Sequence, residues 1–175
     1  MSLTFSFAQT SDAQTIADLV NSAYRGDSSK VGWTTEAHLL DGQRTDANEI
    51  KKKIEEKNTY ILTAHDNGAL VGSCELIRDP EASELYFGMF TIKPTAQNRG
   101  LGKGFLKHVE KLALEWKIKT IKMTVITLRT ELIEYYVRRG FRVTNKLIPF
   151  PTEDRFGLPK VKNLEMVYLV KDIHE

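Results

Sequence analysis

The segment from Gln97 to Gly104 contains the residue types that bind a phosphate or another small anion. It reads Gln-Asn-Arg-Gly-Leu-Gly-Lys-Gly and lies between a predicted strand and the most regular predicted helix. Unpaired backbone N–H groups at a helix N-terminus attract anions, and glycines let a phosphate approach the backbone closely. Arg99 and Lys103 add positive charge. The segment therefore predicts an anion site, with a strand–helix turn that binds nothing as the alternative.

Two common phosphate-binding motifs do not match this segment. The Walker A loop requires Gly-x-x-x-x-Gly-Lys-Ser/Thr, whereas Gly102-Lys103 is followed by Gly104 and has no glycine five positions earlier. The dinucleotide motif Gly-x-Gly-x-x-Gly fails because Phe105 occupies its last position. The segment is therefore neither of these two phosphate loops.

The composition excludes several other kinds of chemistry. Cys74 is the only cysteine, which rules out a disulfide framework, a thiolate zinc cluster and a Cys-x-x-Cys redox site. The four histidines lack His-Glu-x-x-His spacing, so no metal site is expected. With 25 Lys plus Arg against 23 Asp plus Glu, the net charge of +2 predicts neither nucleic acid nor a membrane as a partner. The N-terminus does not resemble a signal peptide and no apolar run could span a bilayer, so we expect a cytoplasmic protein.

The order of predicted elements indicates one α+β domain over residues 1–175. Helical periodicity is clearest from Leu101 to Trp116, and Asn67-Gly68 between two apolar runs predicts a hairpin. Long loops are expected at 25–44 and 148–160. The predicted strands are 3–8, 60–64, 69–77, 84–92, 121–127, 141–147 and 164–170, and the predicted helices begin near residues 11, 46, 101 and 131. This order lacks the regular alternation of a Rossmann fold.

Two segments in register resemble the GNAT acyltransferase superfamily. Gln97-x-x-Gly100-x-Gly102 follows the strand that ends at Pro94, and about thirty residues later the chain reads Arg129-x-x-Leu132-x-x-x-Tyr136-x-x-x-Gly140-Phe141. The family typically has Asn and Ala where this chain has Arg129 and Leu132. The resemblance implies a mixed, largely antiparallel central sheet of about six to seven strands, flanked by about four helices.

The resemblance also implies acetyl-CoA as acyl donor and a set of residues that would bind it. The backbone of the strand would hold the pantetheine arm, the glycine turn would hold the pyrophosphate, and Arg129 would lie near the pantetheine. Tyr136 would sit near the thioester sulfur and protonate the departing thiolate, with Tyr135 as its competitor. The implied cofactor-binding residues are Phe90, Thr91, Ile92, Gln97, Asn98, Arg99, Gly100, Leu101, Gly102, Lys103 and Arg129.

Candidates for the general base and for acceptor binding come from strand parity and loop position. Glu84 shares parity with Tyr86, Phe90 and Ile92 if no bulge intervenes, so it could face the acceptor as general base together with Tyr86. Glu75, Glu36 and a chain of waters are the alternatives. Trp33 and Glu36 lie in the long loop where the family binds its acceptor, and an aromatic ring beside a carboxylate would suit a cationic amine. Arg44 lies in the same region, and Arg155 and Phe156 could line the other side.

These features predict an N-acetyltransferase that transfers the acetyl group directly to a primary amine of a small molecule or peptide. The sequence does not predict which amine is acetylated. A homodimer is possible, but the sequence does not decide the oligomeric state. A module that binds CoA without catalysis is one alternative. A different acyl group or a hydroxyl acceptor is the other.

Overall fold

A seven-stranded sheet forms the centre of the computed structural model, which describes residues 3–174. The strand order is β1-β3-β4-β5-β6-β9-β7, and β2 pairs with β8 separately. The strands are β1 (Leu3–Phe7), β2 (Leu40–Asp41), β3 (Thr59–Asp66), β4 (Ala69–Asp79), β5 (Glu84–Ile92), β6 (Thr120–Ile126), β7 (Arg142–Pro149), β8 (Leu158–Pro159) and β9 (Glu165–Asp172). The helices are α1 (Ala13–Tyr24), α2 (Gly26–Ser29), α3 (Ala47–Glu55), α4 (Leu101–Glu115) and α5 (Thr130–Val137). The predicted α+β class and the largely antiparallel sheet are confirmed, and the additional helix is the four-residue α2.

Local sequence signals account for several element boundaries. The Asp46 carboxylate accepts a hydrogen bond from the Glu49 N–H at 2.9 Å, which is the N-cap expected for α3. Asn67 and Gly68 both have positive φ, as the hairpin between β3 and β4 requires. The predicted start of α1 near residue 11 is slightly too early, since the helix begins at Ala13. The helix is preceded by a short 3-10 turn, and the Asp12 carboxylate accepts from the Gln9 N–H at 2.8 Å.

Two layers of helices cover the sheet. On one face, α4 buries Leu101, Phe105, Val109 and other apolar residues against the inward side chains of β3 to β6. On the opposite face, α1 and α3 pack over Ile61 and Met89. Among residues 3–174, no helix is long and apolar enough to cross a membrane.

Strands β5 and β6 separate along their length and leave a gap in the sheet. Among residues 3–174 they are the one parallel pair, and their pairing is limited to Glu84–Thr120, Leu85–Ile121 and Tyr86–Lys122. Beyond Tyr86, the backbone of β5 faces open space instead of a neighbouring strand. The two strands therefore separate from Phe87 onward.

A β-bulge in β5 changes which face its side chains point to. The register with β4 shifts between Ser73 and Glu75, and Met89 has φ of 48°. Met89 packs with α1, whereas Phe90 contacts the α4 residue Phe105. Side chains before and after the bulge therefore do not share one parity, because the extra residue reverses the alternation.

The long loops at 25–44 and 148–160 pair with each other. Leu40 pairs with Pro159 and Asp41 with Leu158, which forms the two-stranded β2–β8 ribbon. The predicted irregular segment thus contains a short helix and a short strand, and the Pro-rich loop is its partner. Together they enclose the gap between β5 and β6 from one side.

Candidate active site

The turn from Asn98 to Lys103 presents backbone N–H groups at the start of α4. Asn98 and Gly100 have left-handed φ values of 64° and 76°, and such conformations direct successive N–H groups into an anion-binding concavity. The first hydrogen bond of the helix runs from the Gly104 N–H to the Gly100 oxygen at 3.2 Å. The N–H groups of the preceding helical residues therefore remain available to a ligand.

A cleft of ≈ 470 Å³ opens in front of this turn, and we call it the outer cleft. Its lining runs from the end of β5 across the turn to α5, and it includes Ile92, Gly102 and Lys103. Arg138 and Arg139 lie at its rim. A long cleft with positive charge and free N–H groups at one end suits a ligand that carries phosphates at one end.

The predicted side chains of the turn do not all face the outer cleft. Asn98 and Lys103 line it, whereas the Arg99 guanidinium donates to the Asp66 carboxylate at 3.2 Å, at the β3–β4 hairpin. Leu101 is buried and faces the core, so it offers only its backbone. The expectation that Arg99 and Lys103 flank the anion is therefore supported for Lys103 alone.

The Gln97 side chain holds the loop from Gly32 to Thr34 against the end of β5. Its Oε1 accepts from the Trp33 N–H at 2.9 Å, and its Nε2 donates to Thr34 Oγ1 at 2.8 Å and to the Ile92 oxygen at 3.0 Å. Since these bonds use both ends of the amide, Gln97 positions the wall of the cleft instead of binding the anion through its side chain.

A second pocket of ≈ 200 Å³ fills the gap between β5 and β6, and we call it the inner pocket. Much of its wall is apolar, with Phe87, Met123 and Phe156 among the lining residues. The two cavities share Tyr24, Phe90, Arg129, Leu132 and Tyr136. A ligand in the outer cleft could therefore reach a second ligand in the inner pocket.

Tyr136 lies at the junction where the two cavities meet, and Tyr135 does not. Tyr136 is 5% exposed, and burial raises the pKa of its hydroxyl well above the usual value. It therefore keeps its proton at neutral pH. Tyr135 lines only the outer cleft, where its hydroxyl lies over Gly102 and the Arg139 guanidinium stacks 3.4 Å from its ring centroid. The geometry separates the two tyrosines that the sequence left in competition.

The sequence of the chain matches a known protein family. A family model described as "Acetyltransferase (GNAT) domain" matches residues 29–149, which is more than half of the chain. The chain belongs to the GNAT family of acetyltransferases. No curated protein sequence matches it significantly.

Solved structures show the same GNAT fold at low sequence identity. A candidate phosphinothricin N-acetyltransferase aligns with TM-score 0.72 and 15% identity over 99% of this chain and 100% of its own. A candidate acetyltransferase from Salmonella typhimurium, solved with its cofactor acetyl-CoA, aligns with TM-score 0.70 and 18% identity over 100% and 96%. The ribosomal-protein-S18-alanine N-acetyltransferase from Escherichia coli gives TM-score 0.67 and 16% identity over 99% and 96%. Acetyl-CoA as acyl donor fits the GNAT family.

The structure does not bring together the residues predicted to bind a cationic acceptor in this GNAT protein. Trp33 lines the outer cleft and packs against Tyr135 at 5.2 Å between ring centroids, while Glu36 and Tyr86 line the inner pocket. The Tyr86 hydroxyl lies 3.0 Å from Thr124 Oγ1. The pair of Trp33 and Glu36 therefore does not form one recognition site.

Glu36 is occupied by two buried arginines. One carboxylate oxygen accepts from Arg25 and the other from Arg129 at 3.0 Å. Arg129 also donates to the Thr34 oxygen at 2.7 Å, so its guanidinium binds the loop at the place where the residue lines both cavities. Removing one member of such a buried ion cluster typically costs about 3–5 kcal/mol of stability. Glu36 thus stabilises the acceptor loop, and each of its two oxygens is engaged by a guanidinium group.

Glu84 does not lie at the junction, which corrects the prediction made from strand parity. The bulge at Met89 places it on the opposite face from Phe90 and Ile92, and it forms an ion pair with Lys122 at the start of β5. Glu75 also has a cationic partner, because Lys53 donates to it at 2.6 Å. Lys53 and Lys122 neutralise these two carboxylates.

Sequence reasoning missed Tyr24 and Arg25 at the end of α1. The Tyr24 hydroxyl donates to the Phe90 oxygen on the open edge of β5, and the Arg25 guanidinium donates to the Phe156 oxygen at 2.8 Å. Phe156 lines the inner pocket, as expected, but Arg155 does not. One sequence signal could have identified them. A polar and a charged residue stand together at the end of an amphipathic helix, where the chain enters the predicted acceptor loop.

Proposed function

We propose that this protein is an N-acetyltransferase that transfers the acetyl group of acetyl-CoA directly to a primary amine of a small molecule or peptide. The observation that carries the proposal is the meeting of two cavities at Tyr136 and Phe90. One cavity ends at an anion-binding helix turn, and the other is closed by the acceptor loops. Direct transfer requires the donor and the amine to meet in this way. The cytoplasmic location and the homodimer remain predictions from the sequence.

The residues of the outer cleft fit the parts of acetyl-CoA in order. The N–H groups from Asn98 to Lys103 would bind the pyrophosphate, with Lys103 contributing charge. The unpaired backbone of β5 from Phe90 to Ile92 would pair with the amides of the pantetheine arm. The Phe90 oxygen retains one lone pair beside the Tyr24 hydroxyl, so it can still accept a second hydrogen bond. Thr91 contributes only backbone, because its hydroxyl donates to the Met89 oxygen at 3.1 Å.

The chemistry assigned to this chain is limited to orientation and proton transfer. The amine nitrogen forms a bond to the thioester carbonyl carbon, and the carbon–sulfur bond breaks. Tyr136 holds a proton at the junction and gives it to the departing thiolate. The proton lost by the amine passes to water in the inner pocket, since Glu36, Glu75 and Glu84 are each held by a cation, and water returns a proton to Tyr136.

Calorimetry with acetyl-CoA and a screen of amines read by CoA release test the function. We expect acetyl-CoA to bind and at least one amine class to be acetylated. Tyr136→Phe should lower kcat by about 100-fold, the usual size of a lost general acid, with little change in acetyl-CoA affinity. Tyr135→Phe is the matched control, because that hydroxyl lies over the glycine turn and away from the junction; its kcat should stay within about threefold.

Three outcomes would contradict parts of this proposal. Acetyl-CoA binding without turnover on any amine would make the protein a CoA-binding module. Faster turnover with a longer acyl-CoA, or with alcohols, would change the donor or the acceptor. A Tyr136→Phe enzyme with unchanged kcat would remove the general-acid role.

A further inference from the structure

The charge of the inner pocket carries information about the acceptor. Among the described residues that line it, three are arginines and one is a carboxylate: Arg25, Arg44, Arg129 and Glu36. Glu36 is shared by Arg25 and Arg129, so the lining keeps a formal charge of +2. The nearby Glu75 is already paired with Lys53 and adds no free negative charge. The pocket is therefore electropositive and incompatible with a polycationic acceptor.

Arg44 differs from the other two arginines because its guanidinium makes no ion pair or hydrogen bond within residues 3–174. Its backbone N–H donates to Asn21 Oδ1 at 2.7 Å, which fixes the start of the side chain at the mouth of the pocket. The side chain is only half-buried. Burial lowers the pKa of the Arg25 guanidinium and the Arg44 charge lowers it further, while the same charge opposes the burial-driven rise in the pKa values of Tyr24 and Tyr86, so it acts inside the pocket.

We propose that the acceptor is a small amine that also carries an oxyanion, a carboxylate or a phosphonate, and that Arg44 binds this group. A guanidinium offers two parallel N–H donors that match a carboxylate or phosphonate. The apolar walls formed by Phe87, Met123 and Phe156 accommodate the body of the acceptor. The volume of ≈ 200 Å³ is below the roughly 300–1,000 Å³ of pockets for drug-sized ligands, which favours a molecule the size of an amino acid.

The positive charge of the inner pocket also favours the acetyl transfer itself. The amine must be neutral to attack the thioester, and nearby positive charge disfavours its ammonium form. An oxyanion on the same molecule offsets the repulsion that would otherwise exclude it. This explains how an enzyme without a free carboxylate at the junction could obtain a neutral amine. The inference rests on the proposed acetyltransferase function.

The test compares matched acceptors that differ only in the anionic group. Each aliphatic and aromatic L-amino acid is assayed beside its amide and its 1-aminoalkylphosphonate, with CoA release as the readout. We expect at least one acid or phosphonate to exceed its amide by tenfold or more in kcat/KM. If acids and phosphonates differ from each other, the preferred oxyanion is identified. Turnover of amides or simple amines with no acid or phosphonate preferred would overturn the inference while leaving the acetyltransferase function intact.

Variants of Arg44 assign the effect to this side chain. Arg44→Gln should lower kcat/KM for the preferred oxyanion substrate by tenfold or more through KM, and should change kcat/KM for its amide by a much smaller factor. Arg44→Lys should recover part of the loss, because it restores the charge without the forked geometry. Arg142→Gln is the matched control, since Arg142 is exposed on β7 and lines neither cavity. Thermal melting checks that each variant folds, and equal losses for acid and amide would overturn the role of Arg44.

If the proposed acetyltransferase function is wrong, the measurements will give a different result. In that case acetyl-CoA would not bind in calorimetry, or no amine of any charge would release CoA. Selectivity among turned-over acceptors is measured only after that step succeeds, so the two failures are distinguishable.

Discussion

At the scale of single residues, the site depends on groups that are held in place by bonds to other residues. Gln97, Arg129 and Glu36 were predicted to touch a ligand, and each is instead bonded to the loop around Thr34 or to another member of the cluster. Tyr136 and Lys103 face the cavities, as predicted. Loss of a positioning residue should therefore change the shape of the site, whereas loss of a facing residue should change binding or catalysis directly.

Gly100 and Gly104 offer a matched pair of glycines in the same helix. Gly100 has φ of 76°, where a Cβ is costly, whereas Gly104 lies inside the helix and an added Cβ would approach Leu3 at 3.4 Å, an ordinary contact. Gly100→Ala should destabilise the fold by about 1–2 kcal/mol and weaken acetyl-CoA binding, because the turn must change its conformation. Gly104→Ala should stabilise the helix by roughly 0.5–1 kcal/mol.

Chemical unfolding and calorimetry on the two variants check this prediction. The Gly104→Ala protein should bind acetyl-CoA with unchanged affinity, which controls for the general effect of adding a methyl group. Equal acetyl-CoA affinity in wild type and Gly100→Ala would show that the left-handed turn is not required for the ligand.

At the scale of elements, the sequence predicted the strands and helices better than the faces they present. The Asn-Gly hairpin between two apolar runs was sufficient for β3 and β4, a run that is apolar on both faces was sufficient for β5, and helical periodicity was sufficient for α4. The bulge at Met89 left no sequence signal, because Met rarely adopts a positive φ and is held there by packing against α1. The Glu84 prediction failed for this reason. Ion pairs such as Glu36 with Arg129 join residues far apart in sequence, so no local pattern could reveal them.

Gln97 connects three elements, and its removal tests whether the acceptor loop depends on the end of β5. Gln97→Glu keeps an oxygen for the Trp33 N–H but loses the donors to Thr34 Oγ1 and the Ile92 oxygen. We expect faster amide hydrogen exchange in residues 30–40, by about tenfold, since leaving such groups unsatisfied costs roughly 1–3 kcal/mol. Hydrogen exchange by mass spectrometry measures it, with the peptides of α4 beyond Phe105 as internal reference. Unchanged exchange in residues 30–40 would contradict the bridging role.

At the scale of the whole molecule, the packing of the helices against the sheet buries ionisable groups in their neutral forms. Tyr24, Tyr136 and Cys74 are buried, Tyr86 is half-buried, and burial raises the pKa of all four. They lie around the gap between β5 and β6 or in the adjacent core. The cavity that suits the reaction therefore also makes folding depend on pH.

This arrangement predicts that the folded state loses stability at alkaline pH. Above the unfolded pKa values, 9.0 for the cysteine and 10.0 for each tyrosine, the unfolded chain releases protons that the folded chain retains. The unfolded state then binds fewer protons, so the free energy of unfolding falls as pH rises, by at most about 1.4 kcal/mol per pH unit for each group. Urea unfolding at pH 8, 9, 10 and 11 should show a midpoint that begins to fall near pH 9 and falls more steeply above 10. Tyr86→Phe should reduce that slope by up to one group's contribution, since it removes one buried hydroxyl while keeping the ring. A midpoint that stays constant from pH 8 to 11 would mean that these groups ionise as easily in the folded protein as in the unfolded chain.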